Sequence, residues 1–147
     1  MKKNIVPFDG LGFTIHLVNP PLITLADGSE VPKVNAKKIE KSVLKLLVKK
    51  KSPLTGSQLY FVRSMLDLSQ LELSRILNLS SQSLISNYES RFDTLSGMDI
   101  NTEILLIFKI LEKLGLLKKN FDFNEKLIEV TPVRKFLKDD IIVLKAS

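Results

Sequence analysis

Gln82, Ser83, Ser86 and Asn87 are spaced so that Gln82 and Ser86 share one face of a helix and Ser83 and Asn87 the adjacent one. A carboxamide donates and accepts at once. That is the requirement for bidentate pairing with adenine in a major groove, and serine hydroxyls can bond several base edges. A helix face built from short uncharged polar groups can lie close to such edges. A face kept only for solubility would more usually carry Lys and Glu. Gln70 opens the preceding helix, where both its side chain and the helix N-terminus can meet a phosphate.

Those side chains need two helices crossing at a steep angle, and residues 68–89 meet each demand in order. Ser69 can cap the first helix, and Ser74 is small where a partner must cross. Asn78 tolerates the left-handed backbone of a tight turn. Either Ser80 or Ser81 can cap the second helix, about Ser81 to Glu89, which Ile85 and Tyr88 anchor inward.

Leu68-Ser69-Gln70, then Leu73-Ser74, then Ile85-Ser86-Asn87-Tyr88-Glu89 resembles the Cro/phage-repressor-type (Xre-type) helix-turn-helix regulators. Leu54-Thr55-Gly56, Phe61-Val62-Arg63 and Leu66 resemble the first helix of bacterial regulators and antitoxins of that class, so the likeness covers residues 54–114. It implies a five-helix bundle that works as a homodimer on near-palindromic double-stranded DNA. It further implies that Gln70 touches the backbone while Ser81, Gln82, Ser83, Ser86 and Asn87 face the groove. Three positions depart from the pattern. Glu89 comes one residue late, Asn78 replaces the usual Gly, and Ser74 the usual Ala. Which of Ser81, Gln82 and Ser83 reaches a base therefore stays open.

Charge is concentrated elsewhere. The net charge is +6, and residues 36–53 supply all of it: seven lysines stand against Glu40 alone. Ile39, Val43, Leu46 and Leu47 recur at helical spacing, with Asn35 as a cap and Pro53 as a stop. Lys37, Lys38, Lys41, Lys45 and Lys49 then fall within an arc of about 120° on the opposite side. A solvated face, a phosphate-contacting stripe and attachment to an anionic membrane each fit such an arc. The apolar face lacks the Trp and Phe of a membrane anchor. Arg91 is a further phosphate candidate or a plain exposed loop residue.

Around these helices the sequence predicts strands. Phe13–Val18 alternates, Leu22–Leu25 follows the Asn19-Pro20-Pro21 break, Asp27-Gly28 marks a turn, and Glu30–Pro32 is a short edge segment. Helices are expected over 57–66, 69–77 and 104–114, the last capped by Asn101-Thr102-Glu103 and closed by Gly115. Segments 121–123, 127–130 and 141–144 read as strands, with the two chain ends pairing. The expected class is mainly α (α+β). Its organisation is 1–53 for strands and the Lys-rich helix, 54–117 for the helix pair and its supports, and 118–147 for terminal strands.

Several chemistries are poorly served. With no cysteine there is no Cys-ligated zinc and no thiol nucleophile, so a reducing compartment fits. The single histidine, His16, is expected to be satisfied or at the surface, and no nucleophile-elbow pattern surrounds any serine. No cofactor or metal site is expected. No apolar run approaches the roughly 18 residues needed to span a bilayer, and the start does not read as a signal peptide. The function expected is a cytoplasmic DNA-binding regulator, as a repressor or as an antitoxin with a toxin partner. A protein-interaction module on the same scaffold is the alternative.

Overall fold

The computed structural model describes residues 4–50, 52–116 and 143–145. The expected strands at 121–123 and 127–130 lie outside the described residues. The order is β1 (Ile5–Phe8), β2 (Ile15–Val18), β3 (Leu22–Thr24), β4 (Glu30–Pro32), α1 (Ala36–Lys49), α2 (Gly56–Met65), α3 (Gln70–Ile76), α4 (Gln82–Glu89), α5 (Ile100–Lys113) and β5 (Val143–Lys145). The class is α+β.

β1, unmarked by any strong alternation, pairs antiparallel with β2, with Ile5 opposite Val18. β2 also takes β5 in parallel, His16 beside Val143, so a carboxy-terminal strand lies against an amino-terminal one. β2 itself is shorter than the expected 13–18. Only Ile15–Val18 is strand, while Phe13 packs into the core from the preceding turn. Its ring meets Phe61 of α2 edge-on, with centroids 5.5 Å apart. β3 and β4 form a separate two-stranded hairpin whose turn carries Gly28 at φ 85°.

One apolar core joins Phe13, Ile15 and Leu17 to α1 (Ile39, Val43, Leu47), α2 (Leu59, Val62) and α5 (Leu106, Ile110). It therefore crosses residue 53. Lys50 crosses there too: its ammonium donates to the Pro53 carbonyl at 2.8 Å and to Gln58 Oε1 at 2.7 Å. Lys50, outside the arc of five lysines, is thus turned inward. His16 also departs from expectation, since its Nδ1 is buried with no hydrogen-bond partner among the described residues.

Helix ends follow local chemistry. Thr55 and Gln58 form a capping box on α2, and Ser69 and Glu72 form one on α3. α2, α3 and α5 each stop on a left-handed residue, namely Asp67, Asn78 and Gly115. In each, the amide of that residue and the next one return to carbonyls of the last turn, as in Asn78 to Arg75 (3.1 Å) and Leu79 to Ser74 (2.8 Å). α5 starts earlier than expected. Its cap is Asp99, not Asn101, because Asp99 Oδ1 accepts the Thr102 amide at 3.0 Å and Oδ2 accepts the Thr102 hydroxyl at 2.8 Å.

Those two bonds hold the Asp99 carboxyl below its ordinary value of 3.8. Its folded pKa is lower than its unfolded one, so the stabilisation is present above the ordinary carboxylate range. It is lost as pH falls through the lowered value. Asp99→Ala should cost about 1 kcal/mol at neutral pH, with the gap from wild type closing in acid. Denaturant titrations at both pH values would measure it, and a pH-independent gap would refute the assignment.

Candidate nucleic-acid interface

α4 and the start of α3 carry the polar residues that the sequence singles out. Ser81 is the N-cap of α4, which resolves the choice between Ser80 and Ser81. Its hydroxyl does not cap an amide; it lies 2.7 Å from the Ser83 hydroxyl. Ser81, Gln82, Ser83, Ser86 and Asn87 are all exposed. At about 100° per residue the four within α4, Gln82, Ser83, Ser86 and Asn87, span roughly 140° of the helix, opposite buried Ile85. Ser86 and Asn87 have no side-chain hydrogen bond among the described residues. The face is uncharged, because the one side chain of α4 charged at neutral pH, Glu89, is buried.

Glu89 is the hub of a hydrogen-bonded chain. Arg63 of α2 reaches it with Nε to Oε1 at 2.5 Å and Nη2 to Oε2 at 3.2 Å, a two-pronged guanidinium–carboxylate pair. Arg63 Nη1 also donates to the Leu68 carbonyl at 3.0 Å, tying down the entry to α3. Gln70 Nε2 donates to Glu89 Oε2 at 2.9 Å. The Gln70 carbonyl is thereby turned outward, where Gln82 Nε2 approaches it at 3.4 Å. One carboxylate thus fixes α2, the start of α3 and, through Gln70, the first residue of α4.

Gly56 makes the approach of α2 to α4 possible. A Cβ there would lie 2.6 Å from the Tyr88 carbonyl oxygen, and 2.7 Å from that of Glu89 and from the Phe92 amide nitrogen. In the sequence, Gly56 and Arg63 stand out only through that resemblance. The signal lay in their seven-residue spacing, two helical turns that put both on the face meeting Glu89.

The lysines divide. Lys37, Lys41 and Lys113 of α5 line an open cleft of about 230 Å³ with Glu40, Leu44, Met65 and Leu114. Met65 stands four residues before Ser69, so their Cα atoms lie within about 15 Å. Lys45 and Lys49 are exposed one and two turns further along α1, about 6 and 12 Å beyond Lys41. Arg91 is exposed at the far end of α4 from Gln82, outside the hydrogen-bonded chain.

Glu89→Ala would leave the guanidinium of Arg63 and the amide of Gln70 without their acceptor in a mostly buried site. A loss of about 3 kcal/mol is expected. Denaturant unfolding of the single variants and of the Arg63→Ala/Glu89→Ala pair measures the coupling. Additive losses would show that the two residues do not act together. Comparison with known proteins finds no matching family model, no matching curated protein and no matching solved structure.

Proposed function

We propose that this chain is a sequence-specific double-stranded DNA-binding regulator that presents α4 to the major groove in helix-turn-helix fashion. The observation that carries the reading is the Arg63–Glu89–Gln70–Gln82 chain. Gln82 Nε2 has two hydrogens, and the bond to Gln70 uses one. The remaining N–H and the free carbonyl form the donor–acceptor pair that bidentate contact with adenine N7 and N6 requires. That long bond favours one orientation of Gln82 before any ligand arrives, which lowers the entropy lost on binding.

Ser86 and Asn87 extend the same surface, and Ser83, tied to Ser81, borders it. Backbone affinity needs cations, and the α4 face has none. Lys37, Lys41 and Lys113 are near enough to the Ser69 end of α3 to meet the adjoining phosphates, and Lys45 and Lys49 continue that line. A repressor or a self-repressing antitoxin would both use this arrangement. The uncharged face also suits a protein-interaction module, which is the second reading.

Selection from random duplex DNA should recover an inverted repeat with half-sites about 34 Å apart. Gln82→Ala should cost about 1–3 kcal/mol and relax preference at one base pair. Lys41→Ala should weaken all duplexes alike and reduce the salt slope by about one. If no duplex is enriched, and binding at low salt is no better for selected than for scrambled DNA, the interaction-module reading replaces this one.

A further inference from the structure

Phe92 is the most exposed large apolar side chain among the described residues, at 68%. Its backbone sits at φ 46°, a left-handed conformation that a bulky side chain rarely adopts. The cause is local. The Phe92 amide returns to the Glu89 carbonyl at 3.3 Å, and the Phe92 carbonyl accepts the Ser57 amide at 2.9 Å. Beyond it the Gly56 amide bonds the Thr94 carbonyl, and Thr55 bridges Leu95. This ladder holds the loop against α2 whatever the side chain at 92. Glycine would relieve the strain, and the ring buries little in return. A strained position that displays an aromatic ring points to use of the ring.

Its neighbours suggest what covers it. Arg91 and Asp93 flank it, both exposed, and neither has an ion-pair partner among the described residues. Tyr60, 55% exposed, lies one turn along α2 from Gly56 on the same face, and the Arg63 guanidinium stands over its ring at 5.1 Å. A two-fold contact must be self-complementary. If two copies of the 91–93 segment meet antiparallel with an axis at Phe92, Arg91 of each faces Asp93 of the other. The two rings meet between those ion pairs, with the Tyr60 rings as shoulders. Aromatic and arginine side chains are the types enriched at interface cores.

We infer that Arg91-Phe92-Asp93, with Tyr60, is the centre of an isologous interface with a second copy of this chain. The inference stands on the loop alone and is tested without DNA. If both readings hold, the two α4 helices meet the axis by their C-terminal ends and Gln82 faces outward. That assigns Arg91 to the protein contact in place of a phosphate.

Oligomeric state is read by sedimentation across a concentration series at low salt, with thermal unfolding of each variant alongside. Wild type should be a dimer. Phe92→Gly should be a monomer whose folding is unimpaired once measured where both proteins are monomeric. Arg91→Asp and Asp93→Arg should each weaken the dimer about tenfold or more, and the double exchange should restore it. The single exchanges keep the test decisive if Phe92→Gly does not fold. A monomeric wild type overturns the inference, as does a dimer indifferent to all these changes or a double exchange no better than the singles. Loss of duplex binding by Phe92→Gly with the dimer intact also overturns it, and assigns the ring to DNA.

Discussion

The Glu89 carboxylate is the point on which the candidate surface depends. Its cost is desolvation, and it is met by the three donors at hand: two from Arg63 and one from Gln70. Because Arg63 also holds the Leu68 carbonyl, the pair fixes more than two side chains. It sets where α3 begins relative to the end of α4. The capping box of Ser69 and Glu72 then fixes the first turn of α3, and the left-handed Asn78 turns the chain into the loop that leads to α4. Each step is a short-range bond, yet together they determine how Gln70 and Gln82 meet.

Close backbone approach is the second constraint. Arg63 reaches Glu89 only because α2 lies almost on the carbonyls that end α4, and Gly56 is what permits that. The same approach creates the ladder between residues 54–57 and 92–96. The strain at Phe92 is thus a consequence of the contact that orders the opposite, polar end of α4. Order at Gln82 and exposure at Phe92 trace to one packing decision.

What could be read from the sequence was local. Asn35, Ser69, Asn78 and Gly115 are caps and turns whose polar side chains or permissive backbone act within four residues, and the structure uses each as such. Apolar periodicity likewise marked Ile39, Val43, Leu47 and Ile85 as core. The expectation at α5 failed because Asp99 and Asn101 are both competent caps, and only the packing of Ile100 and Thr102 decides between them. Lys50 reads like its neighbours, but it ends α1 and turns inward on Gln58. Arg63 and Glu89 are 26 residues apart, and no period connects them. The left-handed backbone of Phe92 has no marker at all, since its residue type argues against it.

The separation of polar face from positive charge has a physical logic of its own. An amide or hydroxyl discriminates among partners by geometry at contact, but contributes little attraction at a distance. An ammonium acts over about 8 Å at physiological ionic strength, whatever the sequence it approaches. Under the proposed DNA-binding reading, lysines on α4 would bring the long-range term to every duplex through the same surface that must discriminate. Here α4 is neutral because Glu89 cancels Arg63 internally, while α1 and the end of α5 hold the cations. α1 alone carries five lysines against Glu40, and it is held by its own apolar face of Ile39, Val43 and Leu47. Under the proposed DNA-binding reading, long-range attraction and base selectivity thus rest on different helices, α1 and α4, and can vary separately.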